Sequence, residues 1–344
     1  MNGTDKNQGS VTWCSPSNIA LVKYWGKHGR QLPSNPSISL TLSQAYTETT
    51  VEYIRSDKPS YQFTFEGKEK PDFENKVVKY LESIQDIVPS IGQLHLKIDS
   101  KNTFPHSSGI ASSASSMSAL AMCLVDILRD LNSQEDLDLK LASELSRLGS
   151  GSASRSVYGP IAIWGANDTI LEASNQYAIP YSEVDKVFST FHDDILIISK
   201  SEKSVSSRAG HSLMENNPYA LNRFEQAHRH LGEIISAMRD GDLEKFGSIV
   251  EKEALTLHAL MMASEPPYML MEPNTLAAIN HIQRYRKEKN IPVYFTLDAG
   301  PNIHMLYPSQ YASALVPLKE ELSLYCADGR IIEDRVGRGP TKKS

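Results

Sequence analysis

Between residues 94 and 128 the chain changes its hydrophobic period, and this change constrains the fold more than any other feature. Leu94, Leu96 and Ile98 alternate, as a half-buried strand requires. Met117, Leu120, Ala121, Leu124 and Leu128 then recur at helical spacing. The two are joined by Pro105-His106-Ser107-Ser108-Gly109-Ile110-Ala111-Ser112-Ser113-Ala114-Ser115. Small residues let backbone amides turn inward, and the start of a helix adds its positive end. Together they make a cradle for phosphate, with Ser112, Ser113 and Ser115 able to donate from their hydroxyls. No Gly-Lys-Ser/Thr is present and no GxGxxG, so this is neither a Walker A loop nor a dinucleotide fingerprint. A close helix–sheet contact would call for the same small residues.

The remaining pattern is mixed. Val11–Cys14, Ser37–Leu42 and Thr47–Tyr53 read as strands in a strand-rich first third, and Asp72–Ile84 reads as a helix. Leu137–Leu148 is a second helix after the loop. Ile161–Trp164, Asp194–Ile198 and Tyr294–Leu297 read as buried strands. Phe224, Leu231, Ile235 and Met238 mark a long helix stopped by Gly241; Leu243–Met262 and Asn274–Glu288 follow as helices. A chain of 344 residues exceeds one ordinary core and suits two domains around a cleft, here 1–188 and 189–344, in a mixed α+β fold. The net charge of −6 argues against a nucleic-acid or membrane-surface role, so any anionic ligand must be held by a local basic cluster. Three widely spaced cysteines support neither a disulfide framework nor a zinc site. With a polar start and no run near the ~18 apolar residues of a membrane span, the chain reads as cytoplasmic.

Three further segments carry candidate chemistry. Gly149-Ser150-Gly151-Ser152-Ala153-Ser154-Arg155-Ser156 projects an arginine from a small-residue loop, a common way to grip a carboxylate or phosphate with two prongs. Asn18-Ile19-Ala20-Leu21-Val22-Lys23-Tyr24-Trp25-Gly26-Lys27 sets two lysines four apart, as on one helical face, with Tyr24 beside them. Asp298-Ala299-Gly300-Pro301-Asn302 sets a carboxylate at a strand end, where it can act as a base or simply form the turn. The histidines show no metal-ligand spacing: His228 and His230 point to different helix faces, and His258, His281 and His304 stand alone.

In this order the segments resemble one family, the diphosphomevalonate decarboxylases of the GHMP kinase superfamily. Asn18–Lys27 is similar to its N-terminal motif, Ser107–Ser115 to its phosphate loop and Gly149–Tyr158 to its Gly-Ser-Gly-Ser-Ala-x-Arg-Ser stretch. Ser204–Gly210 and Asp298–Asn302 complete a likeness running from about residue 11 to 310. The resemblance implies an N-terminal domain like domain 2 of ribosomal protein S5, a C-terminal ferredoxin-like domain, and a homodimer. It implies ATP-dependent decarboxylation of mevalonate 5-diphosphate to isopentenyl diphosphate, with ATP and Mg²⁺. Asp298 would take the proton of the 3-hydroxyl, Lys23 would lie beside the reacting oxygens, and Arg155 would grip the substrate carboxylate, fixed by Asn18. Tyr24, Lys27, Ser150 and Ser152 would hold the diphosphate. Ser107, Ser108, Gly109, Ala111, Ser112, Ser113 and Ser115 would hold the ATP phosphates, with Ser113 in reach of Mg²⁺ and no dedicated protein metal site. His211 stands where the family usually has Met. Two alternatives are a decarboxylase of mevalonate 5-phosphate and a catalytically silent nucleotide-binding protein.

Overall fold

The computed structural model of the chain describes residues 7–104, 112–201 and 207–343. Strand β1 (Gln8–Val22) leads through a small hairpin, β2 (Lys27–His28) and β3 (Leu32–Pro33), into β4 (Ser37–Arg55). Then come β5 (Ser60–Phe65), β6 (Lys68–Glu69), α1 (Pro71–Ser83), β7 (Leu94–Asn102), α2 (Ser112–Leu131) and α3 (Leu139–Gly149). A 3-10 segment (Gly151–Val157), β8 (Ile161–Trp164) and β9 (Ala178–Pro180) follow. The remainder is β10 (Phe191–Leu196), α4 (Ser207–Ser212), α5 (Ala220–Asp240), α6 (Leu243–Met262), α7 (Pro273–Lys289), β11 (Tyr294–Thr296), β12 (Ile303–Pro308), α8 (Val316–Ser323), β13 (Ile331–Arg335) and β14 (Thr341–Lys343).

The first sheet runs β14-β1-β4-β7-β5-β6, with β8 on β4 and β9 on β8; the second runs β11-β12-β10-β13. The final strand thus crosses back to the first sheet, pairing Thr12 with Lys343 and Cys14 with Thr341. Among the described residues no helix is long and apolar enough to cross a membrane.

Several elements differ from the sequence reading. Ser37–Leu42 and Thr47–Tyr53 belong to one 19-residue strand, because the polar stretch between them lies over the corner where Asp334 accepts hydrogen bonds from the backbone N–H groups of Ser43, Gln44 and Ala45. Lys23 and Lys27 do not share a helical face. Asn18–Val22 is the end of β1, buried on both sides, and Lys27 opens β2. Ile19, Leu21 and Val22 pack with Ile38 and Leu40 against Ile234, Phe246 and Val250 of α5 and α6. A strand covered on both faces loses its alternation, so its apolar run mimics a helical pattern. Strand β12 was missed for the same reason: all six of its residues are buried.

This sandwiching of β1 sets the site. The stretch that follows it, Lys23 to Gly26, emerges where the first sheet meets α5 and α6, and α2 approaches the sheet closely through Ala114, Ser115 and Ser118, all without solvent exposure. Ser115 and Ser118 bond to Thr47 and Ser15 at 2.7 and 2.6 Å. At these positions the small residues serve helix–sheet contact.

Candidate active site

A cavity of about 770 Å³ opens at this junction, lined by the end of β1, the start of α2, the Gly149–Arg155 loop, His211 and Asp298. Among the described residues its lining carries five cations, Lys23, Lys27, Lys76, Lys79 and Arg155, and a single carboxylate, Asp298. Since the whole chain carries a net charge of −6, this is a local inversion suited to a polyanion.

At its centre Lys23 Nζ donates to Asp298 Oδ1 at 2.9 Å, with the lysine side chain 2% exposed and the aspartate 30%. Burial pushes the Lys23 ammonium below the usual lysine range, against the opposing pull of Asp298 and Glu253. Asp298 follows β11, and its carbonyl lies 3.1 Å from Nε2 of the buried His258 and accepts from the Gly300 amide at 2.7 Å.

Arg155 is also buried. Its Nη1 donates to Ser37 Oγ at 2.7 Å and its Nη2 to Asn18 Oδ1 at 3.3 Å, while Nε has no partner. Asn18 is held in turn by its donations to the Ser152 carbonyl at 3.1 Å and Ser156 Oγ at 2.8 Å. Burial lowers the Arg155 guanidinium to about 10, still charged at neutral pH. A charged, buried guanidinium with an unpartnered N–H has unmet capacity for an anion.

Tyr24, Lys27, Ser150 and Ser152 also line the cavity. The Tyr24 hydroxyl is buried without a partner, and burial raises its pKa. It lies against Gly151, where an added Cβ would stand 2.8 Å from the hydroxyl oxygen. Lys27 Nζ donates to Gln31 Oε1 at 2.7 Å, and Oγ of the exposed Ser113, in the first turn of α2, is 3.2 Å from Ser150 Oγ. Ser112 also lines the cavity. Ser115 does not, because its hydroxyl is turned to Thr47, so its expected contact with ATP phosphates is not one the packing favours. Ser107, Ser108, Gly109 and Ala111 lie outside the described residues.

Residues 15–177 match the family model of the diphosphomevalonate decarboxylase-like N-terminal domain, and residues 194–338 that of the mevalonate 5-diphosphate decarboxylase C-terminal domain. A diphosphomevalonate decarboxylase of Ganoderma lucidum is 30% identical over 90% of this chain and 80% of its own. The chain belongs to the diphosphomevalonate decarboxylase family. The mevalonate diphosphate decarboxylase of Staphylococcus aureus superposes with a TM-score of 0.85 at 30% identity, over 98% of each chain. MDDEF, solved in complex with MVAPP, AMPPCP and magnesium, gives 0.84 at 30% identity, over 98% of this chain and 99% of its own. The mixed α/β GHMP-kinase-type fold expected from the motifs is therefore the fold found.

Sequence reasoning missed a buried layer behind Lys23. Glu253, without solvent exposure, accepts from both Arg223 Nη atoms at 2.7 and 2.6 Å and from the Lys23 backbone N–H at 2.8 Å, and its carboxylate lies 2.5 Å from His230 Nδ1. Arg223 Nη2 and Asn35 Nδ2 donate to the Lys23 carbonyl at 2.8 and 2.9 Å. Burial alone would raise the Glu253 carboxyl, but the Arg223 charge and the hydrogen bonds hold it at about 2. A signal was available. Arg223, Ala227, His230 and Ile234 fall on one buried stripe of α5, and Val250, Glu253, Ala254 and Leu257 on one of α6. Charged residues at core-facing helical positions require buried partners. Lys76, Lys79 and Ser116, also in the lining, carried no local motif.

Proposed function

We propose that the protein catalyses the ATP-dependent decarboxylation of (R)-5-diphosphomevalonate to isopentenyl diphosphate, releasing ADP, phosphate and CO2, in the mevalonate pathway. The observation that carries this reading is the pair of buried Lys23 and half-buried Asp298 beside Arg155, in a cavity whose other charges, among the described residues, are all cationic. A tertiary hydroxyl is a poor leaving group. The γ-phosphate of ATP first esterifies it while Asp298 accepts the hydroxyl proton. The C–O bond to that phosphate then breaks, and the carboxylate's C–C electron pair fills the developing cationic centre as CO2 departs.

Positioning and charge stabilisation dominate such chemistry. Lys23 orients the Asp298 carboxylate and balances charge at the reacting oxygens. Arg155, fixed by Ser37 and Asn18, holds the substrate carboxylate. Tyr24, Lys27, Ser150 and Ser152 take the diphosphate, whose oxygens would satisfy the orphaned Tyr24 hydroxyl. Ser112 and Ser113, with the loop Ser107, Ser108, Gly109 and Ala111, take the ATP phosphates at the positive end of α2. Mg²⁺ would enter on those phosphates, within reach of the exposed Ser113 hydroxyl; when bound, it neutralises charge on the transferring group. The apolar wall from Trp25 and Leu257 limits water at the cationic centre.

The units 1–188 and 189–344 are the two halves of this cleft in our reading, with the final strand returning to the first. The family resemblance further leads us to a homodimer, and the composition to a cytoplasmic enzyme. The test is a coupled assay of ADP and CO2 release with ATP, Mg²⁺ and either mevalonate 5-diphosphate or mevalonate 5-phosphate. Paired release with the diphosphate is expected. Paired release with the monophosphate alone would assign the other decarboxylase, ADP without CO2 a kinase, and no turnover a silent binding protein.

A further inference from the structure

His211 is clamped from three directions. Its ring lies against Tyr24 and Trp25, with centroids 4.3 and 4.5 Å away, and its Nδ1 is 3.0 Å from the Gly26 backbone nitrogen. The residue is 8% exposed and lines the cavity. A backbone N–H can only donate, so Nδ1 must be the acceptor. In the neutral ring the proton then resides on Nε2. Burial, and secondarily the neighbouring Lys27 charge, depress the imidazolium to about 3, which keeps the ring neutral at physiological pH. Among the described residues nothing accepts a hydrogen bond from Nε2. With Tyr24, Trp25 and Gly26 occupying its faces and its Nδ1 edge, the Nε2 edge is what the ring offers to the cavity. Tyr24, whose hydroxyl is buried without a partner, and Lys27, whose charge acts on the ring, line the same cavity.

We infer that His211 is a specificity-determining residue whose Nε2–H donates to the terminal phosphate of the substrate's diphosphate, completing a donor set with Tyr24 and Lys27. This rests on the decarboxylase reading for the identity of the substrate, but not for the anion site itself. A neutral donor suits the position. It adds a directed hydrogen bond where Lys27 already supplies charge, and a monophosphate, one phosphoryl group shorter, leaves it unmet.

The test compares wild type with His211→Met, which removes the donor and keeps an apolar filler for the aromatic clamp, and His211→Gln, which keeps an N–H near the Nε2 position. Thermal melts show that each variant is folded. We expect His211→Met to raise KM for mevalonate 5-diphosphate by about ten- to a hundred-fold relative to mevalonate 5-phosphate. Gln should recover part of that ratio, with kcat changing less than KM. In ¹⁵N spectra the His211 signal should report an Nε2–H neutral tautomer at pH 7 that shifts with inorganic pyrophosphate more than with inorganic phosphate. Equal KM ratios in all three proteins, or an Nδ1–H tautomer, would overturn the assignment. A wild type that turns over neither substrate while its His211 signal still responds to pyrophosphate would uphold the anion site and remove the decarboxylase reading.

Discussion

Replacing Glu253 with Gln should destabilise the protein severely, although Glu253 touches no solvent. The substitution keeps shape and removes charge, leaving Arg223, itself buried, facing a neutral amide. Breaking a buried, hydrogen-bonded pair from one side costs about 3–5 kcal/mol, because the remaining charge is uncompensated. Linkage gives a similar figure. Holding a carboxyl at about 2 instead of its ordinary 4.5 corresponds to about 3 kcal/mol at neutral pH. At roughly 2–4 °C per kcal/mol, Tm should fall by about 6–20 °C. The sign with pH is fixed. A carboxyl depressed in the folded state stabilises fully above its unfolded pKa and loses that contribution as pH falls toward the folded value. The gap between wild type and Glu253→Gln should therefore be full above about pH 5 and close toward pH 2. Adding Arg223→Gln should recover part of the loss. The assay is thermal or urea unfolding of the wild type, each single variant and the double variant over this pH range. A Tm change below about 2 °C, a gap that widens on acidification, or strictly additive effects would refute the reasoning.

Three other outcomes are expected. Arg155→Lys should lower kcat/KM by about 100-fold or more, since a point charge cannot reach Ser37, Asn18 and a substrate carboxylate together; near-normal kinetics would remove Arg155 from that role. Gly151→Ala should raise KM for the phosphorylated substrate and cost about 1–3 kcal/mol of stability, because its Cβ would meet the Tyr24 hydroxyl at 2.8 Å; unchanged KM and Tm would show that Tyr24 has room to move. Chelation of Mg²⁺ should abolish turnover and re-addition should restore it, measured by ADP release.

Much of the site was legible in the sequence because its parts are local. Arg155 and its small-residue loop, Asp298 at a strand end, and the Lys23–Lys27 segment each occupy one stretch of chain, and the structure brings all of them to one cavity. The sequence left the conformation of that last segment open, because burial on both faces erased the strand's alternation. The same blindness hid β12. Ser115 illustrates a different ambiguity, for a small residue near a helix start serves equally to admit a ligand or a sheet, and here it meets Thr47. The Glu253 layer depends on residues 30 and 230 positions apart in sequence, so only its charged residues on apolar helix stripes could have announced it.

The most direct test of the central claim is Asp298→Asn, which keeps size and hydrogen bonding but cannot accept the proton. Single-turnover release of ADP and CO2 should be followed with ATP, Mg²⁺ and mevalonate 5-diphosphate, alongside ATP binding. If the Lys23–Asp298 pair is the reaction centre, ATP still binds and both products fall together by about 10²–10⁴-fold. A variant that keeps more than about a tenth of the wild-type rate, or that releases CO2 without ADP, would contradict the account.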